Sequence, residues 1–505
     1  MRRGKTNDSL AGGTSRRRPA TLEHLKGKRF STRLRLKSIR RLSPWLVLTA
    51  LAVSLLAGCN GIPTKDEKAA RNQLLFTGAT YRPHDQKFPL PPLSSDSSLS
   101  NFLMFAMLNQ PKVEAAYYDW AASVERITQA RSFPDPQFTF QMDIQNVVTS
   151  IMPGLMGTIP WPDKLRVGAQ IASAESQAKY FAFQSAVLQS AFDVKRAYYQ
   201  LHFLIEKIRV NQETLKLLRD LEQLARAQNE VGKVTLQDVL RAQIEQDRLK
   251  TELANLEDSR SSLLAQFKAA LGLGPAESTP PIPSRFESTP LDLTADKLLE
   301  TALAQNTQIK SMEADVRAAE ASITLARKAR LPDFSLGLMA DVKMNPTLYR
   351  FPGGPGTVSL PIWRDKIAAQ IAEAQANKRS AAARLSAEQI TLAVDIAERS
   401  YLYREATRNL ALLDDQLLPK ARQSLEVARS GYVAGQSDFF NLTDTEQTLL
   451  GFKLNKVEST MQREVVLAEL SLIIQGMSPA GGSMAARSSG MAGGKSSAKK
   501  SGGGM

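Results

Sequence analysis

The strongest constraint on the fold is an internal duplication that covers most of the chain. Pro136-Gln137-Phe138 recurs as Pro332-Asp333-Phe334, and the glycine turn at Gly232 recurs at Gly435. The separation grows from 196 to 203 residues, which indicates a loop of variable length after Phe138. Such repetition predicts two copies of one supersecondary unit. The copies are repeat 1 (99–274) and repeat 2 (291–477), joined by a proline-rich linker at 275–290.

Each copy contains the same predicted elements in the same order. They are a helix (99–131 and 291–329), a β-hairpin (138–160 and 334–362), a long helix (164–229 and 366–430), a tip turn (230–235 and 431–438) and a return helix (236–271 and 439–475). Apolar residues at helical spacing define the helices. In the first return helix Leu249, Leu256 and Leu263 recur every seven residues, which is coiled-coil spacing.

The predicted helix lengths fit together as a tall wall, two helices thick. The long helix 164–229 would span about 100 Å at about 1.5 Å per residue. The two shorter helices of repeat 1, stacked end to end, match that length. Pro111 is expected to break or kink the first helix, and Pro419 to kink the second long helix. An ordinary coiled coil with the same leucine spacing is the alternative.

The hairpins have one apolar and one polar face. Phe138, Phe140 and Met142 alternate with Thr139 and Gln141, and repeat 2 has the same alternation. Open sheet edges are excluded from lipid, so four lipid-facing strands must be completed by other copies. Two copies would give eight strands and three would give twelve. A small sheet that caps a soluble helical bundle is the alternative.

The segment FPGGPGT at 351–357 lacks a phosphate-loop lysine and is predicted to be the turn between two strands.

The two ends of the chain carry its excess positive charge. The whole chain has a net charge of +15, whereas residues 59–477 hold 47 basic and 48 acidic residues, so the charge offers no support for nucleic-acid binding. Residues 1–58 are predicted to be a basic leader and secretion signal whose apolar segment is too short to span a bilayer. Leu56-Ala57-Gly58-Cys59 resembles the lipobox of bacterial lipoproteins, so lipidation is predicted at Cys59.

The remaining segments outside the repeats are expected to lack a packed core. Residues 59–98 are polar and rich in proline, which favours a lipid-anchored extended arm. The glycine, serine and lysine tail at 478–505 is expected to be disordered. Cys59 is the only cysteine, which rules out an intrachain disulfide.

Several strings resemble outer-membrane efflux proteins of the TolC type. They are AQNEVGKVTLQDVLRAQ, ARSGYVAGQSDFFNLTDTEQ, IPWPDK and LPIWRDK, and the resemblance covers about residues 99–477. It implies a mainly α fold with a membrane β-barrel. Long antiparallel helical hairpins would form a periplasmic tunnel, and four strands per chain would complete a twelve-stranded barrel in a homotrimer. It also implies a periplasmic adaptor, an inner-membrane pump and insertion in the lipid of a Gram-negative outer membrane.

The resemblance assigns roles to residues near the tip turns. Adaptor contacts are expected at the first and second turns, at Val231, Gly232, Lys233, Ala434 and Gly435. Asp444 matches an aspartate ring that constricts the tunnel entrance, with Asn441 where the family places a second acid. Asp238 and Tyr432 match a pair that latches the closed tip. A capping box, with Thr235 as N-cap and Asp238 at the third helical position, is the alternative interpretation of Asp238.

No catalytic motif, cofactor site or metal site is predicted. The histidines at 24, 84 and 202 are scattered, and His202 has no HExxH partner. Methionines gather around the hairpins at 142, 152, 156, 339 and 344. Their thioethers suit soft metals, although strand packing and loop filling are the preferred interpretation. The sequence therefore favours a passive, gated exit duct, with a structural coiled-coil lipoprotein that tethers the envelope as the alternative. It leaves the cargo open.

Overall fold

The computed structural model describes residues 63–83, 86–144, 148–284, 286–287, 295–344, 347–350 and 356–475. The predicted leader, Cys59 and the tail at 478–505 lie outside these residues. Helices dominate the described part, and one sheet accompanies them. The predicted class, mainly α with a small set of strands, is confirmed.

The order of elements is the same in both copies. The first half contains α1 (Lys65–Tyr81), α2 (Leu99–Asn109), α3 (Pro111–Arg131), β1 (Gln137–Ile144), β2 (Val148–Ile159), α4 (Pro162–Glu230) and α5 (Leu236–Ala270). The second half contains α6 (Ala295–Gln305), α7 (Thr307–Lys328), β3 (Asp333–Met339), β4 (Asp341–Met344), β5 (Thr347–Arg350), β6 (Thr357–Ser359), α8 (Arg364–Leu412), α9 (Leu418–Val433) and α10 (Phe439–Gln475). In the described residues no helix is both long enough and apolar enough to cross a membrane.

Helix α4 is the longest helix in the described part of the chain, and several other helices pack against it. Its 69 residues reach about 104 Å at about 1.5 Å per residue. It packs against α3 over one half of its length and against α5 over the other, and α7 and α10 cover further faces. The matching helix of repeat 2 is interrupted: a π-helical turn at Leu413–Leu417 separates α8 from α9, and Pro419 follows at the start of α9. Such turns bend helices because they insert one residue into the hydrogen-bond ladder.

The junction at mid-height is tied by side-chain amides. The helix is interrupted at Gln110 between α2 and α3, and at the equivalent Asn306 between α6 and α7. The Gln110 Nε2 donates to the carbonyl oxygens of Ala269 and Ala270 at 3.1 and 3.2 Å, and Asn306 Nδ2 donates to Ile473 O at 2.7 Å. These amides satisfy carbonyl groups that the return helix leaves open at its end. The helix predicted over 291–329 is present as α6 and α7, with a break at Asn306, which N-caps α7 through Oδ1.

The predicted extended arm contains a packed helix, which corrects the expectation for residues 59–98. Thr64 caps α1 by accepting from Glu67 N at 3.2 Å, and α1 lies against α3 and α4. The Glu67 side chain is buried at 1% exposure and accepts from Arg131 Nε at 2.5 Å and Thr128 Oγ1 at 2.7 Å. These partners lie more than 60 residues away, so local composition gave no sign of them. Residues 86–98 have no helix or strand, as an extended segment should.

The six strands of the described residues form one antiparallel sheet that is four strands wide, because β3 and β4 lie end to end in the third position and β6 and β5 in the fourth. Strand β1 pairs with β2, which pairs with both β3 and β4, and these pair with β6 and β5 respectively. The third and fourth positions are thus each made of two short strands. Met344 pairs with Thr347, so β4 and β5 run antiparallel. The segment predicted to be a turn at 351–357 lies between β5 and β6, and its residues 351–355 lie outside the described part of the chain.

Candidate gate and docking tip

The two tip turns have the same backbone hydrogen bonds. Lys233 N donates to Gln228 O at 2.9 Å, and Gln436 N donates to Gly431 O at 2.8 Å. Between these bonds, Gly232 and Gly435 have φ values of +71° and +73°. The left-handed residue followed by a bond back to the last helical turn is the Schellman motif, and glycine adopts it without a Cβ penalty.

The predicted contact residues point to solvent at the tip. Val231 is 67% exposed, and Lys233 and Ala434 are also exposed. A Cβ built on either tip glycine meets no atom within 4 Å. The glycines therefore serve the backbone conformation, and the surface above them is open to a partner.

An apolar cluster directly beneath the turns fixes their position. Tyr432 and Phe439 are buried with ring centroids 5.4 Å apart. The cluster joins both hairpins, since it also contains Val239 and Ala242 from α5 and Leu442 from α10. Hairpin 1 (the end of α4 and start of α5) and hairpin 2 (α9 and the start of α10) are thus one packed unit.

The structure brings the predicted latch pair close together. Burial, and to a smaller degree the charge of Asp238, raise the pKa of Tyr432 to about 12. Burial also raises the pKa of Asp238, while Arg241 opposes the rise and Asp438 adds to it. The Tyr432 hydroxyl is buried and has no hydrogen-bond partner among the described residues. The two groups are therefore neighbours without a bond between them in a single chain.

The alternative interpretation of Asp238 as part of a capping box is wrong. Thr235 is the N-cap residue of α5, yet its side chain accepts no capping hydrogen bond. The only bond at this position joins two backbone groups, Asp238 N and Thr235 O, at 3.1 Å. Repeat 2 has a true cap at the equivalent position, where Asp438 Oδ1 accepts from Asn441 N at 2.9 Å.

Asp444 and Asn441 lie one turn apart near the start of α10, and both are exposed. The repeat 1 residue at the position of Asp444 is Arg241, which stacks over the Phe440 ring at 5.3 Å from its centroid. The carboxylate of Asp444 therefore faces solvent in the single chain.

Sequence reasoning missed a buried acid close to this gate. Glu446 is 2% exposed and stands between Leu442 and Leu449 on the buried side of α10. Burial, and to a smaller degree the charge of Glu245 on α5, raise its pKa to about 7 against the opposing charge of Lys453. The signal available in the sequence was an acid at the 3–4 spacing of the apolar residues.

In hairpin 1 the partly buried acid is Glu222, and its carboxylate is held by hydrogen bonds. Glu222 accepts from Gln243 Nε2 at 2.8 Å, Gln246 Nε2 at 2.7 Å and Arg226 at 2.6 Å. Bonds from Gln243 and Arg226, more than those from Gln246, lower the pKa of Glu222 to about 2. Gln243 is the repeat 1 counterpart of Glu446, so the two copies have diverged at this point.

At the other end of the molecule, the sheet has a continuous apolar face. Register pairs Phe138 with Leu155, Leu155 with Leu338, and Phe334 with Val358, so the predicted apolar residues of all four positions share one side. They are exposed in the single chain: Phe138, Phe140, Met142, Leu155, Leu336, Leu338 and Val358. A contiguous apolar surface of this kind marks contact with lipid or protein.

Comparisons with known proteins agree with this geometry. The family described as "Outer membrane efflux protein" matches residues 105–273 and 298–474, one match to each repeat. The probable efflux pump outer membrane protein TtgC of Pseudomonas putida is 24% identical over 306 residues, which are 58% of each chain. The chain thus spans 58% of the length of this curated relative.

Two solved structures have the same fold at low sequence identity. The outer membrane protein VceC of Vibrio cholerae is 18% identical with a TM-score of 0.62, and the match covers 75% of this chain and 96% of VceC. The open state of the MtrE outer membrane channel of Neisseria gonorrhoeae is 15% identical with a TM-score of 0.62, and the match covers 78% of this chain and 94% of MtrE.

Proposed function

Because the chain belongs to the outer membrane efflux protein family, we propose that it is the exit duct of a tripartite efflux system. Three copies form a twelve-stranded barrel in the outer membrane of a Gram-negative bacterium, continuous with a helical tunnel through the periplasm. The duct is passive: an inner-membrane pump supplies the energy through a periplasmic adaptor. Cys59 carries the lipid that anchors the chain.

The observation that carries this proposal is the one-sided apolar sheet. Its outer positions, β1 on one side and β5 and β6 on the other, have unpaired edges in the described part of the chain. Unpaired backbone groups cost several kcal/mol each in lipid, so such a sheet enters a bilayer only when other copies close it. A tethering coiled coil needs no apolar face on a sheet.

We assign the gate to the tip. Three exposed Asp444 carboxylates around one axis would attract cations and repel one another. Asn441 contributes no charge to this ring. Asp238 and Tyr432 form the latch, since the buried Tyr432 hydroxyl lacks a partner and lies within reach of the Asp238 charge. The exposed surface around Val231 and the glycine turns receives the adaptor.

A planar-bilayer experiment tests the duct and its gate together. The mature protein, purified in detergent, is expected to give stepwise conductance as a trimer measured by light scattering. Asp444→Ala should raise conductance and weaken block by multivalent cations, because it removes the charged constriction. Asp247→Ala is the matched control, since it removes an exposed carboxylate from α5 farther from the tip.

The outcomes distinguish the duct function from the role of Asp444 in the gate. An oligomer with no conductance in either form would refute the duct and favour the tether. Conductance that Asp444→Ala leaves unchanged would keep the duct and remove Asp444 from the gate.

A further inference from the structure

The polar face of the sheet gathers three methionines around one glycine. Gly154 pairs with Met339 on β3, while Met152 and Met156 lie two residues to either side of Gly154 on β2. Since side chains alternate along a strand, all three thioethers project from the side that carries Thr139 and not from the apolar side. Gly154 itself has no side chain to fill the space between them.

Strand geometry places Met152 and Met156 each within reach of Met339, which lies between them. Met152 and Met156 are both diagonal neighbours of Met339, at about 7–8 Å between backbone positions. Methionine is long and has three rotatable bonds, so its sulfur can cover such a gap. At the centre, a Cβ on Gly154 would meet Thr139 Oγ1 at 2.8 Å and Leu338 O at 3.1 Å. The Thr139 hydroxyl therefore lies in the middle of the group, beside the three thioethers.

A carboxylate oxygen without a partner stands beside the methionines. The register of Gly154 with Met339 continues at Ser150 with Lys343, which places Asp341 opposite Met152. Asp341 Oδ1 is buried and accepts no hydrogen bond from the described part of the chain. A buried polar atom left unpaired is costly, so this oxygen calls for a cation or a donor that binds there.

We infer that Met152, Met339 and Asp341, with Met156 as an additional thioether, form a binding site for a soft monovalent cation of the Cu(I) or Ag(I) type. Thioether sulfur prefers such ions to hard ones, and one carboxylate balances their single charge. The inference rests on the proposed duct, in which the polar face lines the lumen. The site would make soft cations a cargo class that binds the wall during passage.

Silver titration of the purified mature trimer tests the site. Calorimetry with Ag(I) in chloride-free buffer is expected to give one bound ion per chain. Met152→Leu and Met339→Leu keep the shape of the side chain and remove the sulfur, so each should weaken binding by about tenfold or more. Asp341→Asn should weaken it as well, because the charge is lost.

Met142→Leu is the matched control. Met142 belongs to the same sheet, but it pairs with Ile151 on the apolar face and is exposed there. Its substitution should leave the silver affinity unchanged. No binding by the wild type, or an equal loss in Met142→Leu, would overturn the site. Measuring the conductance of the same wild-type sample distinguishes the silver site from the duct function. Channels without silver binding would refute only the site, and silver binding without channels would refute the duct.

Discussion

The buried acid Glu446 predicts that acid pH tightens the tip. Its pKa rises from 4.5 to about 7 in the packed structure. This rise corresponds to about 3 kcal/mol of preference for the neutral carboxyl in the closed tip. Because the pKa of the packed form is raised, this contribution is fully present below pH 4.5, declines as the pH rises towards 7, and is absent above pH 7.

The expected size of the effect follows from these two values. Between pH 5.5 and pH 8 the closed tip loses about 2 kcal/mol per chain, which is roughly 25-fold in the local opening equilibrium. The titratable groups that face Glu446 are Glu245 on α5, which adds to the effect, and Lys453 on α10, which opposes it. No hydrogen bond or ion pair reaches the Glu446 carboxylate within the described residues.

Hydrogen exchange of the full-length trimer measures this opening directly. Peptides covering the first turns of α10 should be roughly 25-fold more protected at pH 5.5 than at pH 8, after correction for intrinsic exchange rates. Glu446→Gln should abolish the difference and keep the tip protected at pH 8. Glu426→Gln, which changes an exposed carboxyl on α9, is the control and should behave as the wild type. A pH dependence that survives in Glu446→Gln would refute the reasoning.

Three other substitutions test the tip and the first helix. Gly232→Leu should abolish export while leaving trimer and membrane insertion intact, because it strains a φ of +71° and changes the docking surface; export assays and light scattering would show this. Tyr432→Phe should raise the single-channel conductance by removing the latch hydroxyl, and unchanged conductance would remove Tyr432 from the gate. Glu67→Gln should cost about 3 kcal/mol of α1 docking, because Arg131 loses its buried counter-charge; faster proteolysis between 65 and 81 would reveal it.

The features predicted correctly from the sequence are those set by local pattern. Long helices follow from periodicity, and the two tip turns follow from Gly232 and Gly435, which adopt positive φ. The apolar face of the sheet follows from alternation at Phe138 and Phe140, because a strand has a period of two. Each of these signals is complete within a few residues.

The features missed depend on contacts between distant residues. Helix α1 was missed because prolines dominate the segment that follows it, and the helix is held by Glu67 through partners in α3. The break at Asn306 serves the end of α10, which lies 167 residues away. The burial of Glu446 likewise becomes visible only when both hairpins are in place.

The divergence of the two copies assigns different roles to the two hairpins. In hairpin 1, Glu222 is held by Gln243, Gln246 and Arg226, so its charge is satisfied in the closed tip. In hairpin 2 the counterparts of Glu222 and Gln246 are Leu425 and Leu449, and the charged group is Glu446, whose ionisation opposes its own burial. A satisfied network favours one conformation, whereas a buried acid without a partner favours any movement that admits water. If the tip opens as proposed, we therefore expect the free energy of opening to be concentrated in hairpin 2, which also carries Asp444 and Tyr432, and hairpin 1 to be the side held by its hydrogen bonds.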